Sequence, residues 1–115
     1  MGGFKLKRVY EAPYKEDGYR ILVDRLWPRG QRKDTAQLDE WNKDIAPSPA
    51  LRKWFDHQPA RFEAFSAQYR EELATKTDDL GRLRDIAKTK RVTLLYAAKD
   101  EHNNQAVVLK HVLES

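Results

Sequence analysis

Two short segments of this chain are apolar at nearly consecutive positions: Ile21-Leu22-Val23 and Val92-Thr93-Leu94-Leu95-Tyr96-Ala97-Ala98. Strands of that kind are buried on both faces, a pattern that belongs to parallel sheets covered by helices. Residues 24–91 between them carry helical spacing instead. Ser48-Pro49 reads as an N-cap followed by a first-turn proline, and Leu51, Trp54 and Phe55 fall on one face of the helix they open. Pro59 starts a second helix, with Phe62, Phe65, Tyr69 and Leu73 at three- and four-residue steps. Thr77 caps a third, with Asp78-Asp79 in the first turn, where carboxylates suit the dipole, and with Leu80, Leu83 and Ile86-Ala87 as its stripe. A last helix runs from about Asn104, with Ala106, Leu109, Val112 and Leu113 facing inward.

A long helical crossover is what two parallel neighbouring strands require. Phe4 to Glu11 adds a half-buried strand, closed by Pro13 and followed by an Asp17-Gly18 turn. The Pro13–Gly18 link is too short for a crossover, so the first two strands are expected to be antiparallel or not to be neighbours. The expected fold is α/β: a single small domain over residues 1–115, with a mixed, mostly parallel sheet flanked by helices.

Composition narrows the function classes. The 115 residues include no Cys, which excludes disulfides, a thiol nucleophile and thiolate metal sites, and suits a reducing cytoplasm. The apolar runs are far too short to span a membrane, and Met1–Lys5 lacks the apolar stretch of a secretion signal, so a cytoplasmic location and no membrane partner are expected. The formal net charge is +4, and the excess is local: Arg20, Arg25, Arg29, Arg32 and Lys33 stand against Asp24 alone between residues 20 and 33. Such a segment favours an anionic partner.

In open α/β sheets, ligands sit outside the carboxyl ends of the strands. If the two apolar strands are parallel, their ends bring Asp24, Arg25, Trp27 and Arg29 to the same edge as Lys99 and Asp100. The start of the last helix, with Asn103 or Asn104 as cap, adds free amides and positive potential there. Arginine forks and a lysine suit phosphate, sulfate or carboxylate. Asp24 and Arg25 read equally as an ion pair between strand and helix. Lys99 and Asp100 read rather more readily as a solvated strand-to-helix loop than as ligand contacts, and Trp27 as a ring that stacks on a ligand or pins its loop. No glycine-rich phosphate loop occurs. His57, His102 and His111 lack metal-ligand spacing, and neither a metal nor a cofactor is expected. His57 closes the Trp54-Phe55 helix, where a cation suits the dipole. It is also a candidate for proton transfer, since the ordinary histidine pKa lies close to neutrality.

Several strings resemble a known family: Lys7-Arg8-Val9-Tyr10, Gly18–Gly30 with Val23-Asp24-Arg25-Leu26-Trp27-Pro28-Arg29-Gly30 at its heart, Trp41–Ser48, Leu51–His57, and Thr93–Asp100 followed by Asn104-Gln105-Ala106. Together they are similar to the YeaO-like branch of the bacterial domain-of-unknown-function family 488. The resemblance implies a small cytosolic bacterial α/β protein and supplies no substrate or catalytic residue. Other branches place Cys and His in the loop after the last strand; here that loop reads Asp100-Glu101-His102-Asn103-Asn104, so thiol chemistry does not carry over. Its polar motif positions are Asp24, Arg25, Arg29, Lys43, Ser48, Arg52, His57, Tyr96, Lys99 and Asn104.

The favoured functional reading is a small anionic or phosphorylated ligand bound at the carboxyl edge of the sheet, with or without catalysis. Arg25, Trp27, Arg29, Lys99 and Asn104 would bind it, and Asp24 and His57 would move protons if there is a reaction. The alternatives are a nucleic-acid module using the basic 20–33 segment and an interaction protein with no small-molecule site. Against the nucleic-acid reading, Phe62–Leu73 has no basic face and Asp78-Asp79 would repel phosphates.

Overall fold

The computed structural model describes residues 2–115. Four strands, β1 (Gly3–Arg8), β2 (Tyr19–Leu22), β3 (Glu40–Trp41) and β4 (Arg91–Tyr96), form one sheet in the order β1-β4-β2-β3. Every pairing is parallel, with Leu94 opposite both Leu6 and Ile21. The apolar strands β2 and β4 are therefore parallel neighbours with a strand on either side of the pair. β1 and β2 are not neighbours, as one branch of the sequence reading has it; the sheet, however, contains no antiparallel pair.

Strand alternation divides the interior. Ile21, Val23, Val92, Leu94 and Tyr96 face a large core closed by the helices α2 (Pro49–Phe55), α3 (Phe62–Leu73), α4 (Thr77–Ala87) and α5 (Gln105–Glu114). Phe55, Phe65 and Tyr69 stack through that core, with ring centroids 4.3 and 5.7 Å apart. The opposite face holds a smaller cluster in which Trp27, Leu38 and Trp41 cover Val9, Leu22 and Leu95. A short helix, α1 (Lys33–Ala36), lies in the loop before β3.

The parallel sheet results from an unusual crossover. Residues 9–18 return from the end of β1 to the start of β2 with only a single 3-10 turn, Lys15–Asp17. They cross beside β4, where the Thr93 hydroxyl donates to the Asp17 carbonyl at 2.7 Å. In place of a helix's apolar stripe, the link buries the Asp17 carboxylate between Lys7 (2.9 Å) and Arg20 (2.6 Å). The Tyr14 amide donates to it at 3.0 Å, and Arg20 also donates to the Gln37 and Ala36 carbonyls. Burial alone would raise the Asp17 pKa, but the Tyr14 amide and the two cations outweigh it and hold the carboxyl at about 2. Gly18 ends the link at φ 66°, and a Cβ there would lie 2.3 Å from the Arg91 carbonyl oxygen, so only glycine fits.

Three helix details depart from the sequence reading. Trp54 is 41% exposed, because the seven-residue α2 buries only Leu51 and Phe55, and the Arg61 guanidinium lies over the indole instead. Phe62 is half-buried rather than enclosed. Thr77 is the first residue of α4, not its cap, and the N-cap position belongs to Lys76. Ser48 and Asn104 do cap α2 and α5, accepting from the Leu51 and Val107 amides.

Candidate functional site

All strand carboxyl ends point to one edge, and a cleft of about 720 Å³ opens there. The segment after β2 supplies Asp24 to Arg29, the segment after β4 supplies Ala97 to Asp100, and α2 with its C-terminal turn supplies Arg52, Phe55 and His57. Tyr10, Pro47, Phe65 and Gln105 complete the wall. Ser48 fixes how α2 approaches: its amide and hydroxyl both donate to the Glu72 carboxylate of α3, at 2.9 and 2.7 Å.

Asp24 lies at the floor. One carboxylate oxygen accepts the Ala97 amide at 2.8 Å and the other accepts the Gln105 side-chain amide. Burial pushes the Asp24 carboxyl up to about 6, against the opposing pull of those two hydrogen bonds and of the Arg52 and His57 charges. No ion pair forms between Asp24 and Arg25 among the described residues, and both line the cleft. The Arg25 guanidinium donates instead to the Pro47 and Ala46 carbonyls at 2.9 and 3.3 Å. Backbone carbonyls before α2, not Asp24, therefore orient Arg25.

Four cations, Arg25, Arg29, Arg52 and Lys99, line the cleft against two carboxylates, Asp24 and Asp100. Asp100 is turned back on its own loop. The Asn103 side chain and the amides of Asn103 and His102 donate to it and lower its pKa. The head groups of Arg29, Arg52 and Lys99 are exposed and form no hydrogen bond or ion pair among the described residues. His57 is aimed by backbone in an uncommon state: Asp56 and His57 are consecutive left-handed residues at φ 48° and 53°. Non-glycine residues pay for that conformation with roughly 1–2 kcal/mol each. The imidazole stands 6.3 Å from the Phe55 ring centroid.

Trp27 lines the cleft while its indole N–H donates to the Gln31 carbonyl at 2.7 Å and its ring meets Trp41 edge-on at 5.2 Å. It thus pins its own loop. Asn104 stands apart from the cleft. It is 1% exposed, and its side chain is used up in capping α5 and in donating to the Asp100 carbonyl at 2.9 Å. The basic 20–33 segment disperses: Arg20 is enclosed with Asp17, Arg25 meets carbonyls, Arg32 pairs with Asp34 and Lys33 lies over Trp27. That leaves Arg29.

Residues 3–115 match the family described as the inactive DUF488-N3 subclade. The chain belongs to that family. It is 50% identical over 109 residues to the uncharacterized protein YeaO of Escherichia coli strain K12, an alignment that covers 95% of each chain. It is 42% identical over 109 residues to the uncharacterized proteins Rv3073c of Mycobacterium tuberculosis and Mb3100c of Mycobacterium bovis, covering 95% of this chain and 92% of theirs. No solved structure matches. No described helix is long and apolar enough to cross a membrane.

Arg52 entered the sequence reading only as a motif position, yet it lines the cleft. Its spacing on a seven-residue helix carries no functional signal. Tyr10 and Gln105 occur in the family strings but not among the site candidates: the first closes the wall from the β1 side, its hydroxyl donating to the Arg29 carbonyl at 2.8 Å, and the second holds Asp24.

Proposed function

We propose that the cleft at the carboxyl edge binds a small anionic ligand, a phosphate monoester or a carboxylate. The observation that carries this reading is the convergence of three cations without protein partners, Arg29, Arg52 and Lys99, on one cavity. Arg8, Arg20 and Arg25 on the neighbouring strands and loops are hydrogen-bonded to carbonyls or paired, whereas Arg29, Arg52 and Lys99 stand free beside a 720 Å³ space, which favours an anion supplied from outside. Arg25 keeps one terminal nitrogen uncommitted and extends the positive wall.

The reading is one of binding rather than turnover. Asp24 accepts from Ala97 and Gln105 and has no hydrogen bond to His57, so the two groups do not form a proton relay. The family's description as inactive supports the same view. Titration calorimetry with inorganic phosphate and phosphate monoesters tests it. A charge-assisted hydrogen bond contributes about 1.5–3 kcal/mol, so Arg29→Ala or Lys99→Ala should each weaken binding at least tenfold, and the two together should abolish it. Unchanged affinity in the double variant, with the protein folded, would refute the reading.

A further inference from the structure

The cleft is not uniformly positive. Its three free cations are exposed at the mouth, whereas the deeper Asp24 places a carboxylate at the floor. A ligand that presented only anionic oxygens would meet repulsion there. A carboxylate accepts about four hydrogen bonds, and protein groups use two of those of Asp24, from Ala97 and Gln105. The remaining acceptor positions are open to a donor from a ligand. An ammonium group would be repelled by the cations that surround the mouth, so the donor that suits both ends is a neutral hydroxyl.

We propose that the ligand is a hydroxylated anion, of the class of sugar phosphates and related polyol phosphate esters, with its anionic group at the Arg29–Arg52–Lys99 mouth and a hydroxyl donating to Asp24 at the floor. This assignment rests on the anion-binding reading above. The volume agrees with it: about 720 Å³ belongs with ligands of organic size rather than with a bare oxyanion. Phe55 and the nearly enclosed Phe65 also line the cleft, and they bring carbon and no competing donor.

Three probes separate the parts of the argument: inorganic phosphate, propyl phosphate and glycerol 3-phosphate, each titrated calorimetrically into the whole protein. The last two share one charge and one carbon count and differ in hydroxyls. Glycerol 3-phosphate should bind roughly 10- to 100-fold more tightly than propyl phosphate, as a hydrogen bond to a charged acceptor warrants. Asp24→Asn should shrink that ratio to about twofold, while Lys99→Ala should weaken both esters and keep the ratio. Equal affinity of the two esters for the unaltered protein overturns the hydroxyl contact and leaves the anion site standing. No binding of any probe overturns both readings. A ratio that persists in Asp24→Asn assigns the hydroxyl elsewhere and overturns the role of Asp24.

Discussion

Replacing Asp24 by asparagine should stabilise the protein at pH 8 and leave its stability nearly unchanged at pH 4. The Asp24 carboxyl is raised from an ordinary 3.8 to about 6, chiefly because its charge is buried. The folded protein therefore holds this proton more tightly than the unfolded chain does. Between those two values the folded state carries the extra proton, so stability falls as pH rises through the interval, and the whole cost is present above about pH 6. A difference of about two pKa units at 1.36 kcal/mol each sets that cost at about 3 kcal/mol. Asparagine has nearly the same shape and does not ionise. Its side-chain oxygen can accept the Ala97 amide, and Gln105 can turn its own amide to accept from the new nitrogen. Arg52 and His57 also face Asp24, and their attraction for the carboxylate is already contained in the net shift. Urea denaturation followed by tryptophan fluorescence at pH 4, 6 and 8 measures the difference. The gain should grow from near zero at pH 4 to as much as about 3 kcal/mol at pH 8, or roughly 10 °C in Tm for a domain of this size. A variant no more stable than the parent at pH 8, or one whose gain is the same at pH 4, would refute the argument.

Asp17→Ala should destabilise the protein by about 3–5 kcal/mol, since it strands Lys7 and Arg20 as enclosed, unpaired cations. Because the Asp17 carboxyl is held at about 2, its contribution is fully present above pH 4 and lost as pH falls toward 2; acid titration of the parent and of Asp17→Ala should show the difference between them closing over that interval. Phe65→Ala should cost roughly 3–5 kcal/mol in chemical denaturation, because the ring is 1% exposed and stacks on Phe55 and Tyr69. The same truncation at the 41% exposed Trp54 should cost less than half as much.

The parts of the fold that could be read from sequence are those that follow from burial and capping. Consecutive apolar residues marked β2 and β4 as the inner strands, and a carboxyl-edge rule then placed Asp24, Arg25, Arg29 and Lys99 around one cleft. Ser48-Pro49 and Asn104 marked helix starts because capping is a local interaction. What escaped depends on contacts between distant residues. β3 has only two residues, and it is a strand only because Glu40 and Trp41 pair with Ile21 and Leu22. The Pro13–Gly18 link reads as too short for a crossover, because what holds the connection is an ion cluster assembled from three segments rather than a packed helix. Lys7 and Arg20 on inner faces of strands were the available sign of a buried acid. His57 arrives in the cleft through two left-handed residues, Asp56 and His57, for which neither residue type gives a signal as strong as glycine would. Asn104 shows the reverse failure: it was read as both cap and ligand contact, and the cap consumes its hydrogen-bonding groups.

Asp17 and Asp24 put the functional argument in its sharpest form. Both are aspartates drawn into the interior beside a sheet strand. Asp17 is surrounded by Lys5, Lys7, Arg20 and the Tyr14 amide, and its pKa falls to about 2. Asp24 has cations within reach across the cleft but none bonded to it, and its pKa climbs to about 6. The sequence can therefore compensate a buried carboxylate when the backbone path requires one. At Asp24 it does not, although Arg25 is the next residue and is directed to carbonyls instead. No side-chain polar atom buried among the described residues lacks a hydrogen-bond partner, so what Asp24 lacks is a bonded counter-charge rather than a hydrogen bond. A buried carboxylate left without a bonded cation, where Asp17 in the same fold has Lys7 and Arg20, marks a place where stability is given up. If a hydroxylated anion supplies the missing partners, its binding should raise the apparent pKa-linked stability of the parent most at pH values above 6, where Asp24 is ionised and its cost is greatest. Thermal-shift titrations with glycerol 3-phosphate at pH 5 and pH 8 would show the larger shift at pH 8. An equal shift at both values would separate the ligand from Asp24.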